Sequence, residues 1–389
     1  MLRIAALVSV LALAVAALPP AQAAPVAAPV ISGAQTKGGE GGIVFTVDTL
    51  IDGGPGSLRK ALDKPGPRII KFAVAGVIKL KKPLRIANPR VTIAGETAPS
   101  PGITLQGGPV RIWASDVIMR HIRVRVGDGP GYDPDDRDGI TILGVTDKDP
   151  GSEPARNVLI ENCSVSWAID EVVSTWFAGV EGVTVHNSII AEGLNNSLHP
   201  KGAHSMGLLI GNGTKNVLVQ GNLLAHNRWR NPVLTAGVTA AVLNNLIYNP
   251  GDTAVHFYDN GAEPTLAVVI GNVVKPGPST RRVIDMFGEK GAVPGSRIYL
   301  RDNDSGGTGA FDGRWRDNPK PPYNPIVAQP PLTLAPGIKV EAATSTQASV
   351  LKTVGARPWD RDATDKRIID EVMKGGGKIR DTVPPGEMH

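Results

Sequence analysis

The chain has 389 residues, including 46 glycines, 33 prolines and a single cysteine, and its net charge at neutral pH is +5. This length allows one elongated domain or two ordinary ones, and the many turn-forming residues favour short strands joined by frequent corners. The weak positive charge is compatible with a polyanionic partner. No run of Lys and Arg with interleaved aromatic residues points to nucleic acid.

The first 23 residues have the pattern of a secretion signal. Arg3 supplies the positive start, residues 4–18 form an apolar core, and a small-x-small cleavage motif ends at Ala23. We therefore expect a secreted or periplasmic protein, with residues 24–37 as a loose Ala/Pro-rich leader. The apolar core is shorter than the roughly 18 residues that a membrane span requires, so no membrane span is predicted.

Residues 38–80 alternate strand patterns with one short helical stretch at 57–64. From residue 91 onward a single strand pattern recurs, and each unit begins with alternating apolar residues and reaches Asn or Gly about four residues later. The units begin at Val91, Val117, Val158, Val183, Val217, Ala240 and Ala267, with steps of 26, 41, 25, 34, 23 and 27 residues. A strand pattern at this period predicts an all-β, right-handed parallel β-helix over residues 38–275, and the first stretch is interpreted as its N-terminal cap.

Asparagine recurs near the same place in these units, where the chain must turn between sheets. Asn tolerates left-handed backbone geometry, and amides stacked coil on coil can hydrogen-bond along the axis. The residues concerned are Asn162, Asn187, Asn222, Asn244, Asn245 and Asn272.

Residues 276–389 hold no clear repeat and are predicted to form an irregular segment packed along the solenoid. Ile368, Ile369 and Val372 indicate one short terminal helix, which three following glycines would end. Cys163 lies inside a repeat strand, so we expect a buried, unreactive thiol.

The two long steps of the repeat contain inserted loops, at 127–155 and 191–206, and both loops carry polar residues. Asp170 lies twelve residues into its coil, and Arg230 lies thirteen residues into the coil two later. Stacked strands are about 4.8 Å apart, so these two side chains are expected roughly 10 Å from each other on one face. That gap suits a sugar residue and an ion.

Acidic residues crowd the first inserted loop, at Asp133, Asp135, Asp136 and Asp138. Together with Asp170 and Glu171 they would form an all-oxygen cluster that suits Ca²⁺ better than a transition metal. The alternative is an acidic loop that is simply solvated. In the second loop, His199 and His204 flank Lys201 above the expected groove and are candidates for substrate contact, as is Arg228 beside Arg230.

Several ordered motifs resemble those of exported bacterial pectate lyases. They are GGEGG (38–42), VTIAGETAPSPGI (91–103), CSVSWAIDE (163–171), HPKGAHSMG (199–207), LLAHNRWRNP (223–232) and the terminal VGARPWDRDATDKRIIDEV. The resemblance covers nearly the whole chain after the signal. It implies a right-handed parallel β-helix that cleaves polygalacturonate by β-elimination with Ca²⁺. We also expect the protein to be a monomer.

The resemblance also implies roles for individual residues. Asp138, Asp136 and Asp170 match the calcium carboxylates of the family, and Arg230 matches the Arg proposed as its base. Three positions depart from the family pattern: a further carboxylate falls on Ser174, a later Arg on Thr235 and a Lys on Met206. We expect Glu171 to replace the missing carboxylate, and Lys201 or His204 to replace the missing cation.

Two other classes of protein stay open on the sequence. A glycoside hydrolase on a similar solenoid requires two carboxylates at a set separation. Asp170 and Glu171 are adjacent and are expected to point to opposite sides of a strand, which disfavours that class. A non-catalytic carbohydrate-binding solenoid would keep the repeat but gives no reason to align Asp138, Asp170 and Arg230.

Overall fold

A computed structural model describes residues 28–145, 153–258, 261, 263–281, 293–311 and 324–388. The predicted signal segment and residues 146–152 of the acidic loop lie outside these ranges. Over the described residues the chain is a right-handed parallel β-helix, as the repeat predicts, with three long sheets running along its axis. No helix in these ranges is long and apolar enough to cross a membrane.

The strands are short and every pairing between them is parallel, because each coil contributes one strand to each sheet. The groove sheet consists of Leu84–Ile86, Val110–Ile112, Ile140–Leu143, Glu171–Trp176, Met206–Ile210, Val233–Thr235 and His256–Tyr258. The helix-side sheet consists of Gly76–Lys79, Ile103–Gln106, Ile122–Arg125, Ser164–Ser166, Ile189–Ala191, Leu223–Ala225, Leu246–Tyr248 and Val273–Lys275. The long sheet consists of Ile43–Val47, Arg68–Phe72, Val91–Ala94, Val117–Arg120, Arg156–Glu161, Glu181–His186, Lys215–Gln220, Thr239–Leu243, Leu266–Ile270 and Arg297–Arg301.

The strand register in the long sheet confirms the repeat read from the sequence. Each predicted starting residue is paired with the next one, from Val91 with Val117 through to Ala240 with Ala267. The series continues past the predicted boundary at residue 275, because Ala267 pairs with Ile298 of a further strand. Inward-facing Val, Ile and Leu side chains of successive coils then stack into one buried core.

The recurrent asparagines occupy two adjacent corner positions. Asn162, Asn187 and Asn244 adopt left-handed backbone geometry, with φ of 46°, 48° and 50°. The position that follows holds a stack in which each side-chain amide donates to the next coil's amide oxygen, at 2.9 to 3.0 Å. Its members are Asn222, Asn245, Asn272 and Asn303. The left-handed turn geometry and the hydrogen-bonded stacking that were both predicted for Asn are thus found at two different, adjacent positions.

The N-terminal end of the solenoid matches the prediction, whereas the C-terminal segment contains two helices where one was predicted. Helix Leu58–Leu62, capped by the Ser57 side chain, covers the first coil as predicted. Two helices follow the coils, Ala343–Thr353 and Ala363–Lys374, and the second ends at left-handed Gly375. Short 3₁₀ turns lie at Gly95–Thr97 and Pro134–Asp136.

The leader is not loose throughout, which corrects the expectation for residues 24–37. Val30–Ile31 pairs with Thr333–Leu334 in a small parallel sheet, and Ile31 is fully buried against the long sheet. The Asn216 side chain accepts hydrogen bonds from the backbone of Ser32 and Gly33. These contacts attach the segment to the middle of the solenoid. Cys163 is a free buried cysteine, as expected, and burial raises its pKa to about 12.

Candidate active site

A groove of about 680 Å³ runs over the outer face of the groove sheet, where both inserted loops meet. The sheet supplies the floor and the loops supply the walls. Its lining includes the acidic residues Asp135, Asp136, Asp138, Asp170 and Glu171, and the basic residues Arg85, Arg111, Lys201, His204 and Arg230. Most of the residues that the sequence analysis expected to act together therefore converge, and the exceptions are described below.

Asp138 is a buried carboxylate of the groove. It ends the acidic loop just before strand Ile140–Leu143 and is 9% exposed. Its Oδ2 accepts hydrogen bonds from the hydroxyls of Thr141, at 2.6 Å, and Ser174, at 2.9 Å. Burial, with a smaller contribution from the charge of Asp170, raises the pKa of Asp138 to about 7.

Three carboxylates form one cluster. Ligand oxygens of Asp138, Asp170 and Glu171 all lie within 4.8 Å of one another. The expectation that Asp170 and Glu171 point apart is wrong, because strand alternation does not reach Asp170: the strand begins at Glu171 and Asp170 lies in the turn before it. Burial raises the pKa of Asp170 as well, against the lowering effect of His204, Arg230 and Lys201.

Arg230 faces this carboxylate cluster from two coils away. Its backbone is left-handed, with φ of 61°, which is an unfavourable geometry for a residue with a side chain. Its guanidinium Nη1 forms an ion pair with Glu171 Oε1. Burial lowers the pKa of Arg230, whereas the charges of Asp170 and Asp138 raise it. The strained turn thus directs a positive charge at the carboxylates.

The second inserted loop closes one wall of the groove. His199 and His204 stack with ring centroids 3.4 Å apart, and their Nε2 atoms lie 3.6 and 3.5 Å from the two oxygens of Asp170. Lys201 pairs with Asp135 at 2.7 Å. Burial, reinforced by the charge of His204, lowers the pKa of His199 to about 4, so its imidazole is neutral near pH 7.

Two predicted residues lie outside these contacts. Asp136 is half exposed and pairs with Arg111 at 3.4 Å, so its carboxylate belongs to the groove wall rather than to the cluster. Arg228 is not part of the groove lining and pairs with Asp252 at 2.8 Å. Asp135, one residue from the predicted ligand, occupies the position against the histidines instead.

Sequence reasoning missed the hydroxyls that hold Asp138. Ser174, which stands where the family has a further carboxylate, donates a hydrogen bond to Asp138. Thr141 is the register partner of Ser174 on the neighbouring strand. The sequence did indicate this role, because Thr141 and Ser174 are polar residues at outward positions of an apolar strand pattern. The other two departures are structural: Thr235 donates to a backbone carbonyl, and Met206 is the register partner of Glu171.

The carboxylate cluster fits a hard divalent cation. All three candidate ligands are oxygens, and Ca²⁺ takes oxygen ligands in flexible arrangements. Asp138 is consistent with this, since burial raises the pKa of its carboxyl group to about 7 and a bound cation would favour the ionised form. Glu171 is the third carboxylate of the cluster, and its role as replacement for the acid missing at Ser174 stays a prediction.

The chain folds as a right-handed parallel β-helix, and one groove on it brings three clustered carboxylates and an arginine together. No family model matches the chain. Curated relatives do, and each is named probable pectate lyase C. The protein of Neosartorya fischeri is 33% identical over 367 residues, covering 89% of this chain and 76% of the relative. That of Aspergillus fumigatus is 32% identical over 378 residues, covering 91% and 79%.

A third relative, from Aspergillus flavus, is 36% identical over 252 residues, and the match spans 64% of this chain and 53% of that protein. Solved structures agree on the fold. The cedar pollen allergen Jun a 1 superposes with a TM-score of 0.60 at 20% identity, covering 84% of this chain and 92% of the allergen. A Bacillus pectate lyase in complex with trigalacturonate gives 0.52 at 15%, covering 82% and 95%. The chain belongs to the pectate lyase family.

Proposed function

We propose that this protein is a calcium-dependent pectate lyase that cleaves polygalacturonate by β-elimination and releases unsaturated oligouronates. The observation that carries the proposal is the opposition of Arg230 to the cluster of Asp138, Asp170 and Glu171 within one groove. Family membership supports the lyase class. The all-oxygen ligand set supports calcium.

The reaction removes the proton α to the uronate carboxylate and breaks the bond to the glycosidic oxygen on the adjacent carbon. The electron pair of the broken C–H bond forms the double bond, and the leaving oxygen takes up a proton. Negative charge accumulates on the substrate carboxylate meanwhile, so the site must supply positive charge there. Bound Ca²⁺ would do so as a Lewis acid, held by Asp138, Asp170 and Glu171.

Arg230 completes the electrostatics. Its guanidinium lies beside the carboxylate cluster and can contact the same substrate carboxylate or the carbon that loses its proton. Burial lowers its pKa, which is the direction a proton acceptor requires, but a guanidinium is protonated at ordinary pH. Lys201 and His204 line the same groove and are proposed substrate contacts. The Nε2 atom of His199 lies 3.6 Å from Asp170 Oδ2, so His199 is proposed to position this carboxylate.

The mass of the products tests this proposal against hydrolysis. A lyase divides the chain without adding water, so one product of each cut is lighter by one water than the corresponding hydrolysis product. We expect unsaturated products from polygalacturonate. Fully hydrated products would instead establish the glycoside hydrolase alternative, and intact polymer with measurable binding would establish a non-catalytic solenoid.

Export and a monomeric state belong to the same proposal. Export is supported by the signal pattern of residues 1–23 and by a substrate too large to enter a cell. Sedimentation of the purified protein would test the monomeric state, and a dimer would contradict it.

A further inference from the structure

The segment after the last helix, residues 380–388, contacts three irregular segments that bring side chains to the candidate site. We call residues 380–388 the strap. None of them is part of the groove lining. Their contacts are with the start of the acidic loop, with the turn that carries Asp170, and with loop 191–206, which we call the histidine loop. The strap is therefore placed to support the site without entering it.

The strap holds the base of the histidine loop by hydrogen bonds. Asp381 Oδ1 accepts one from the side-chain amide of Asn195 at 3.0 Å and one from the backbone N–H of Asn196 at 2.9 Å. The Arg380 carbonyl accepts a third, from the backbone N–H of Asn195 at 2.7 Å. The Asn195 carbonyl in turn accepts the backbone N–H of His204 at 2.9 Å. Asn195 thus links the strap directly to the histidine that lines the groove.

The strap also holds the start of the acidic loop. One carboxylate oxygen of Asp128, Oδ2, accepts hydrogen bonds from the Thr382 hydroxyl and from the Val383 backbone N–H, the latter at 3.3 Å. Met388 packs on the neighbouring Gly127 so closely that a Cβ on this glycine would overlap the methionine side chain. The first two residues of the acidic loop are therefore fixed by polar and apolar contacts with the strap.

A small apolar cluster joins the strap to the turn that carries Asp170. Its fully buried members are Trp167, Ile169 and Leu194, and Val383 and Met388 of the strap pack against them. Ile169 immediately precedes Asp170, and its backbone N–H donates to the Arg137 carbonyl at 3.0 Å. Because Arg137 immediately precedes Asp138, the packing of Ile169 bears on the separation of Asp138 and Asp170.

Both ends of the strap are anchored. At its start, Arg380 pairs with the buried carboxylate of Glu192, which also accepts two hydrogen bonds from Arg367 of the last helix at 2.8 Å. Near the other end, Glu387 pairs with the same Arg367 at 2.7 Å. Burial raises the pKa of Glu192, but the hydrogen bonds and charges of Arg367 and Arg380 outweigh it and lower the pKa to about 2. The anchoring carboxylate is therefore ionised at neutral pH, where charge-assisted hydrogen bonds are strong.

We propose that the strap positions the candidate site, because it holds the histidine loop, the acidic loop and the Asp170 turn in the arrangement that binds substrate and metal. This inference rests on the proposed function, which assigns Ca²⁺ to the carboxylate cluster. The strap acts through other residues, since it belongs neither to the groove lining nor to the cluster. Where a contact of the strap is lost, apparent affinity falls in proportion to the time that the loop spends outside its binding arrangement.

Asp381→Ala tests the hold on the histidine loop, which carries the proposed substrate contacts Lys201 and His204. We expect KM for polygalacturonate to rise about fivefold with kcat unchanged, since two exposed hydrogen bonds are lost and each makes a net contribution at the low end of the usual range. Asp381→Asn keeps an acceptor oxygen and should return KM to the wild-type value. Asp370→Ala is the matched control, because it removes an exposed carboxylate outside the strap, and it should have wild-type KM.

Val383→Ala tests the packing against the Asp170 turn. Calorimetric titration should show a dissociation constant for Ca²⁺ about fivefold above wild type, because truncation of a partly buried apolar side chain leaves the turn less firmly packed. Asp370→Ala should again match wild type. This measurement requires no substrate, so it reports on the metal site alone.

Wild-type KM in Asp381→Ala and wild-type calcium affinity in Val383→Ala would overturn the inference. A lower maximal rate at unchanged KM and calcium affinity would overturn it as well, because a strap that only stabilises the folded state changes the folded fraction and leaves each folded molecule normal. A KM in Asp381→Asn as high as in Asp381→Ala would contradict positioning by these hydrogen bonds. Failure of the proposed function is a different result, since wild type would then form no unsaturated product.

Discussion

Asp138→Asn is the sharpest perturbation of the candidate metal site, because it removes a buried charge and keeps the shape of the side chain. Burial and Asp170 raise the pKa of this carboxyl from 3.8 to about 7. At about 1.4 kcal/mol per pH unit, the difference corresponds to roughly 4 kcal/mol between the protonated and ionised forms. Asn still offers an oxygen to Thr141 and Ser174 but has no proton to lose.

The direction in which stability changes with pH follows from the linkage between proton binding and folding. The folded, metal-free protein holds the proton of Asp138 more tightly than the unfolded chain does. The corresponding stability is complete below pH 3.8 and is lost as the pH rises to about 7. Metal-free wild type should therefore lose up to about 4 kcal/mol of unfolding free energy from this group across that range. Asp138→Asn has no such proton at this position and should not lose this unfolding free energy.

Chemical unfolding in chelator, at several values between about pH 4 and pH 8, measures this difference. We expect Asp138→Asn to be more stable than wild type at the upper end, by up to about 4 kcal/mol. Asp370→Asn is the control, because Asp370 is exposed and pairs with Lys374 in its own helix. Added Ca²⁺ should stabilise wild type and stabilise Asp138→Asn much less. Parallel metal-free curves for wild type and Asp138→Asn would refute the buried, proton-binding carboxyl.

The remaining predictions concern the catalytic arginine, the C-terminal tail and the signal. Arg230→Gln should lower kcat by about 10²–10³-fold while calorimetry shows calcium affinity at least equal to wild type, because Glu171 loses its competing partner; weaker calcium binding would contradict this. Arg230→Lys should recover little of the rate, since an ammonium lacks the planar fork. Asp381→Ala should lower the free energy of unfolding by about 0.5–1.5 kcal/mol, because Asp381 accepts hydrogen bonds from Asn195 and Asn196 at the base of the histidine loop; an unchanged value in chemical unfolding would contradict it. N-terminal sequencing of exported protein should begin near Ala24, and a sequence beginning at Met1 would contradict the signal assignment.

The coils were predictable because their sequence pattern and their structure share one period. An inward Val at 183 demands another inward residue at 217, since the two are stacked partners in the core. The final helix was predictable for a similar reason, as Ile368, Ile369 and Val372 form one apolar face. Helix Ala343–Thr353 was not, because it buries only Ala343, Thr346 and Val350, a pattern too weak to stand out.

The site was predictable in composition and less so in geometry. Spacing placed Asp170 and Arg230 in one groove, but it could not say that Arg230 would reach Glu171 in particular. It also could not separate Asp135 from Asp136, because their side chains diverge with the path of an irregular loop.

The rate of unsaturated uronate formation from polygalacturonate, followed by ultraviolet absorbance as Ca²⁺ is raised from full chelation to saturation, tests the central claim most directly. The account predicts no absorbance change in chelator and a rate that rises with Ca²⁺ to a plateau. Asp138→Asn should require much more Ca²⁺ to reach any rate, whereas Arg230→Gln should have a low plateau at ordinary Ca²⁺. A full rate in chelator, or chain cleavage with no rise in absorbance, would contradict a calcium-dependent lyase built on these residues.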